Sequence, residues 1–263
     1  MQSWSSWIGV AAFALLTGAA SAQETLRVGT EGAYPPYNAV DASGQLVGFD
    51  VDVANELCRR IEMRCEIMQQ EWDGMIPALL TRRYDAIMAG MAITAEREKR
   101  IAFSRPYSAL VSWFVSAKDG PLKDAKTLDE IRAALKGKAV GVQRSTVDEA
   151  FLEAKVPGIQ IRLYDTQDDL NLDLENGRVD AGLGESQGWA AFLTSDTGRG
   201  FGHFGPDLDN RVDPVFGPGV GIGLRQEDTA LKAKLDKALG DMTADGSLAR
   251  LSTQWFGFDH TVK

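Results

Sequence analysis

From residue 25 onward the sequence alternates short β-forming runs with segments of helical period, and it does so twice. Strands separated by helices favour parallel sheets, because a parallel pair needs a crossover long enough to hold a helix. The first series predicts strands over 26–30, 65–68 and 85–89. It predicts helices over 50–63, where Val53, Leu57 and Ile61 fall on one face, over 73–84, and over 95–100 behind a Thr94 cap. Near residue 107 the pattern changes to an extended apolar run over 107–117. A second series follows, with helices over 128–135, 167–176 and 187–193 and strands over 138–143, 159–164 and 179–183. A further helix runs to Lys155 from a cap at Ser145 or Thr146, with Asp148 and Glu149 in its first turn, where the helix dipole favours them. After a Gly/Pro/Asp-rich stretch over 198–219 come a strand over 220–224 and helices over 229–243 and 247–255. The glycines at 217, 219, 221 and 223 are not followed directly by a helix, so they read as a glycine-rich strand and not as a nucleotide loop.

The two series resemble each other. Val28-Gly29-Thr30-Glu31 and Val140-Gly141-Val142-Gln143 each begin a strand–loop unit, and Tyr84-Asp85-Ala86 and Val179-Asp180-Ala181 each begin a later strand. Two α/β lobes joined by extended crossings leave a cleft between the ends of their sheets.

Residues 8–20 form an uncharged apolar run, followed by Ala20-Ser21-Ala22, the layout of a cleaved secretory signal over residues 1–22. No Lys or Arg precedes the run, so an uncleaved anchor is the alternative reading, although the run is shorter than the roughly 20 residues that span a bilayer. The remaining chain suits two lobes of about 100 residues each. A formal charge of −9 argues against nucleic acid or anionic lipid as partner. Cys58 and Cys65 are the only cysteines, and in an oxidising compartment a close pair reads as a disulfide. His203 and His260 are far away in sequence, so no metal site and no serine–histidine–acid set is expected.

In such a cleft the ligand meets loops that follow strands and the amino ends of helices, whose free N–H groups favour anions. Those loops are 31–34, 70–72, 89–97, 143–147 and 184–186. Arg97 stands out, because positive charge in the first turn of a helix is unfavourable without an anion, and a guanidinium suits a carboxylate. A surface arginine beside Lys99 and Arg100 would have the same spacing. Glu185, after a strand of the second series, is a weaker candidate for an ammonium.

Residues 48–58 (Gly-Phe-Asp-Val-Asp-Val-Ala-Asn-Glu-Leu-Cys) resemble the motif of bacterial polar-amino-acid solute-binding proteins. Asp85-Ala86-Ile87-Met88, Ile93-Thr94, Arg97, Ile101-Ala102-Phe103-Ser104, Gly141-Val142-Gln143, residues 173–181 and residues 221–225 continue it in the family's order. The resemblance implies a two-lobed type II periplasmic binding protein fold, α/β in class, with a hinge and an interlobe ligand cleft. Lobe 1 is expected over 23–109 and 212–263, and lobe 2 over 110–211. The function implied is delivery of a small amino acid or amino-acid derivative, from the periplasm, to an inner-membrane ABC permease. The chain is expected to be a monomer, with no cofactor and no catalytic duty.

By the same resemblance Arg97 holds the ligand's α-carboxylate and Glu185 its α-ammonium. Tyr34 and Trp72 sandwich the side chain, and Glu31 reads a distal cation. Gln143, Ser145 and Thr146, read from their place after a strand and not from the resemblance, complete the second wall. The Cys58–Cys65 pair looks like the disulfide of lysine/arginine/ornithine- and histidine-binding members. Basic-amino-acid binders carry hydroxyl residues where this chain has Ala89, Gly90 and Ala92, and here it looks more like the octopine- and nopaline-binding branch. Glu185 fits that branch less well, since an opine's nitrogen is substituted. An enzyme of cyclohexadienyl dehydratase type shares the fold and is the rival reading, though no histidine falls in any predicted cleft loop.

Overall fold

The computed structural model describes residues 23–262, so the signal read over residues 1–22 lies outside the described residues. The first lobe opens with β1 (Thr25–Thr30), followed by a small antiparallel sheet of β2 (Ala33–Tyr34), β3 (Asn38–Val40) and β4 (Leu46–Val47). Then come α1 (Phe49–Arg60), β5 (Arg64–Gln69), a single 3-10 turn at Trp72–Gly74, α2 (Met75–Leu80), β6 (Ala86–Ile87), α3 (Ala95–Glu98) and β7 (Ala102–Phe103). The second lobe runs through β8 (Ser112–Ala117), α4 (Leu128–Leu135), β9 (Ala139–Gln143), α5 (Val147–Lys155) and β10 (Gln160–Tyr164). It ends with α6 (Gln167–Glu175), β11 (Ala181–Glu185), α7 (Ser186–Thr194) and β12 (Phe201–Leu208). The chain then returns to the first lobe as β13 (Gly223–Leu224), α8 (Thr229–Ala244) and α9 (Ser247–Phe256).

The two large sheets are built alike. Their strand orders are β5-β1-β6-β13-β7 and β10-β9-β11-β8-β12, each with three parallel strands and an antiparallel pair at one edge. Thus β1 and β9 hold the same place, as do β6 and β11, as the sequence repeat implies. The repeat extends to an anchoring detail. Asp85 Oδ2 accepts from the Arg27 amide at 3.3 Å, and Asp180 Oδ2 accepts from the Ala139 amide at 2.9 Å. Each aspartate anchors the backbone of the corresponding strand, β1 or β9.

Three of the second lobe's four helices, α4, α5 and α6, start by one rule. The hydroxyls of Thr127, Thr146 and Thr166 accept from the amides of Glu130, Glu149 and Asp169, satisfying donors that a helix leaves free. The chain crosses between the sheets before β8 and after β12. These crossings lie side by side, with Tyr107 N donating to Val220 O and Val220 N to Ser108 O, both at 2.9 Å.

Several elements differ from the sequence reading: the helix read over 73–84 becomes a 3-10 turn and Met75–Leu80, and the strand read over 85–89 shrinks to Ala86–Ile87. The stretch over 198–219 contains β12, an edge strand paired to β8 with an irregularity between Phe204 and Leu208. Gly202, Gly205 and Pro206 hide its alternation, and an edge position tolerates the proline. Conversely, the strand read over 220–224 shrinks to Gly223–Leu224, because Gly217 and Gly219, with φ of 64° and 136°, turn the chain just ahead of it. Cys58 on α1 and Cys65 on β5 form a disulfide with a Cα–Cα distance of 5.6 Å, within the usual range. No helix among the described residues is long and apolar enough to cross a membrane.

A candidate amino-acid site between the lobes

The strands β1, β9 and β11 lead residues from both sheets toward one cavity. Its wall comprises Glu31, Tyr34, Trp72, Gly90, Ala92, Arg97 and Leu110, and from the second lobe Gln143, Thr146, Val147, Asp148 and Glu185. The cavity volume is about 30 Å³, so the lobes lie closely apposed around it.

Glu31 follows β1 directly and is only 4% exposed. Gln143 Nε2 donates to its Oε1 at 2.8 Å and to Asp165 O at 3.0 Å. Burial pushes the Glu31 carboxyl up to about 7, with Gln143 opposing the rise and the charge of Asp168 adding to it. The strand end therefore presents a carboxylate poised to gain from a cation.

Arg97 sits one turn into α3, whose start is fixed by Thr94 accepting from the Arg97 amide. Its Nη1 donates to Ala92 O at 2.9 Å and its Nη2 to Ser145 O at 3.0 Å, so both bonds go to main-chain carbonyls. The guanidinium carbon stands 5.3 Å from the centroid of Trp72. Burial pushes its pKa down to about 10, against the pull of the Asp148 charge. A partly buried guanidinium with no carboxylate bond of its own has spare capacity for an anion.

The loop between Ala89 and Ala92 is held from behind. Asp50, 1% exposed at the start of α1, accepts from Gly90 N at 2.8 Å, Asn38 Nδ2 at 3.0 Å and Tyr107 Oη at 2.6 Å. Burial still raises Asp50 to about 6 against these three donors. Gly90 has φ of 61°, a left-handed conformation that costs little only for glycine. A side chain there would find ordinary contact with Tyr37, so conformation and not space requires the glycine.

Glu185 ends β11 and is 5% exposed. Its Oε2 accepts from Gln187 N at 2.8 Å and Gly188 N at 3.1 Å, and its Oε1 from Ser186 Oγ at 3.2 Å. The side chain is the amino-terminal cap of α7. His260, buried near the C-terminus, stands 3.5 Å from Oε1.

Nine of the residues picked out by sequence meet at this cavity: Glu31, Tyr34, Trp72, Gly90, Ala92, Arg97, Gln143, Thr146 and Glu185. Two lie elsewhere. Ala89 is packed into a core cluster with Met75, Tyr84 and Ile87, because successive residues of its loop point opposite ways. Ser145 is exposed and lines an outer groove; only its carbonyl takes part, as the acceptor for Arg97. Leu110, Val147 and Asp148 were missed. Leu110 belongs to the crossing, and its apolar neighbours gave no signal. Val147 fell in a candidate loop without a polar group to mark it. Asp148 looked like an ordinary first-turn acid.

Among the described residues no three His, Cys, Asp or Glu side chains group as metal ligands. The arrangement can hold a small zwitterion, with one guanidinium, several buried carboxylates and two aromatic rings.

Known proteins carry the same plan. The chain is 36% identical over 242 residues to an L-arginine-binding protein of Pseudomonas aeruginosa, covering 91% of this chain and 90% of that protein. It is 36% identical to an octopine-binding periplasmic protein of Rhizobium meliloti, covering 95% and 97% respectively. Among solved structures, a Salmonella typhimurium periplasmic binding protein described for its high arginine specificity superposes with a TM-score of 0.79, at 32% identity over 89% of this chain and 99% of that one. The fold is that of the periplasmic amino-acid binding proteins, with two mixed α/β sheets in two lobes. With a family model matching residues 26–258, this chain belongs to the bacterial extracellular solute-binding proteins, family 3.

Proposed function

We propose that this chain captures a cationic amino acid, or an arginine-derived opine, between its lobes and hands it to an inner-membrane ABC permease. It works in the periplasm as a monomer, after removal of residues 1–22. The observation that carries the reading is the wall of the cavity, where Arg97 shares one small space with buried Glu31 and with Trp72 and Tyr34. In this reading Arg97 takes the ligand's carboxylate, Glu31 takes the distal cation, and the rings lie against the ligand's stem. Relatives named for arginine and octopine support the ligand class.

The lobes hinge at the paired crossings, with lobe 1 over 23–109 and 212–263 and lobe 2 over 110–211. Acidic ligands are disfavoured because a glutamate side chain would set its charge against Glu31, a contact costing several kcal/mol when desolvated. Calorimetry with arginine, ornithine, octopine, nopaline and glutamate tests the assignment. Tight binding of a cationic ligand and no heat from glutamate is expected. Glutamate binding as tightly as the best cationic ligand would refute it.

A further inference from the structure

We propose that Asp148, in the first turn of α5, holds the α-ammonium of the captured ligand, and that the cavity selects a free cationic amino acid over an opine. This rests on the function proposed above and narrows it.

Asp148 is 5% exposed and lines the cavity, yet its Oδ1 has no hydrogen-bond partner. A buried carboxylate oxygen left unpaired is costly, and such an atom marks where a donor is missing. The helix start does not account for it. Thr146 supplies the cap of α5, accepting from Glu149 N at 3.2 Å. Ser112 is the one side-chain donor beside Asp148; it lowers the Asp148 carboxyl by hydrogen bonding, but weakly, since neither Ser112 Oγ nor Asp148 Oδ1 reaches full hydrogen-bond geometry.

Glu185, the residue that the family resemblance assigns to the ammonium, is otherwise engaged. A carboxylate offers about four lone-pair sites. Three of them already serve Gln187 N, Gly188 N and Ser186 Oγ. The charge of Glu185 is directed into the amino end of α7, whereas Asp148 faces the cavity with capacity unused.

Charge balance points the same way. The cavity wall holds one guanidinium, Arg97, against three carboxylates, Glu31, Asp148 and Glu185. Burial pushes Asp148 up to about 7, with the nearby Glu185 charge adding to the rise and Arg97 opposing it. A ligand that brings two cationic groups and one carboxylate relieves this excess. An opine adds a second carboxylate on the substituent of the same nitrogen that Asp148 would meet. That places like charges together in a closed space.

The test is calorimetry at pH 8 on the wild-type chain and Asp148→Asn. The ligands are L-arginine, octopine and 5-guanidinopentanoate, which is arginine without its α-ammonium. The wild type should prefer arginine to both other ligands. Asp148→Asn should weaken arginine by about thirtyfold, the loss of one charged hydrogen bond, while binding of 5-guanidinopentanoate holds or improves. The preference for the α-ammonium then collapses. If Asp148→Asn leaves that preference within about threefold of wild type, Glu185 holds the ammonium and the inference is wrong. Octopine binding to wild type as tightly as arginine also overturns it. Wild type that binds no cationic amino acid refutes the underlying function first, before any variant is made. Circular dichroism checks folding, and Asp148→Ser reads the same preference if the asparagine variant does not fold.

Discussion

Gln143 Nε2 donates to Glu31 Oε1 at 2.8 Å across the gap between the two sheets, and the two residues occupy matching places in the internal repeat. Glu31 follows β1 of the first sheet, and Gln143 ends β9, the matching strand of the second. Each lobe thus aims the end of its β1-type strand at the cavity. The repeat has diverged there into a carboxylate on one side and a neutral amide on the other, which makes the bond possible without like-charge repulsion.

The raised carboxyls give the site a pH dependence whose sign follows from linkage. Glu31 and Asp148 are both held up to about 7 by burial, above their ordinary values near 4. Between those values the folded chain binds more protons than the unfolded one, so ligand-free stability falls as pH rises from about 4 through 7. Asp50, raised to about 6, adds to the same fall. A cationic ligand favours the ionised forms of Glu31 and Asp148, so affinity should rise from pH 5 to pH 8, and binding near pH 6 should expel protons. Arginine should raise the melting temperature more at pH 8 than at pH 5.5, and the binding heat at pH 6 should depend on the buffer. A thermal shift that stays constant over this range would contradict the ionisation assigned to both groups.

Much of this was legible in the sequence where local rules act alone. The helix read over 128–135 matches α4, Leu128–Leu135. Glu31 and Gln143 were found because each stands at the end of a strand, and Arg97 because a positive charge in a helix's first turn calls for an anion. What escaped depends on contacts between distant residues. The link from Asp50 to Gly90 N joins residues forty positions apart. It decides that Gly90, and not Ala89, faces the cavity. Asp148 escaped because a first-turn acid is already explained by the helix dipole; only the unpartnered Oδ1 reveals a second role. The edge strand β12 escaped because glycine and proline interrupt its alternation.

The disulfide should be complete in the folded protein. Thiol titration after denaturation without reductant should find none, and two titratable thiols would contradict the Cys58–Cys65 bond. The loop it closes is short, so replacing both cysteines by serine should cost about 2.5 kcal/mol on the chain-entropy account, measured by denaturant unfolding. The cavity lies away from this bond, and ligand selectivity should be retained.

Arg97 should dominate affinity. Removing one member of a buried ion pair leaves the other charge unpaired, at a cost of roughly 3–5 kcal/mol. Arg97→Ala should therefore weaken arginine binding by more than about a hundredfold while the chain stays folded. Arg97→Lys should recover only part of this, because an ammonium keeps the charge but cannot match a carboxylate with a planar fork. Calorimetry on both variants decides the matter. A loss of about tenfold or less in Arg97→Ala would make Arg97 an ordinary helix residue that happens to stack on Trp72.

Closure of the lobes is the last expectation, and it follows from which bonds cross the gap. Gln143 reaches Glu31, and Arg97 Nη2 reaches Ser145 O, so each lobe contributes a donor to the other. Arg144, bonded to Asp165 in its own lobe at 3.0 Å, also lies 3.9 Å from Asp73 in the first lobe. Opening at the crossings would break these contacts while leaving both sheets intact, and a ligand held by Arg97, Glu31 and Asp148 would add contacts to both sides. Saturating arginine should therefore lower the radius of gyration in small-angle scattering, with affinity near micromolar, about −8 kcal/mol. Gln143→Ala removes a bond that exists only in the closed form. It should expand the ligand-free protein and weaken arginine by about tenfold, the range expected for a hydrogen bond to a charged group. Scattering curves that are the same with and without ligand, in both wild type and Gln143→Ala, would rule out the hinge.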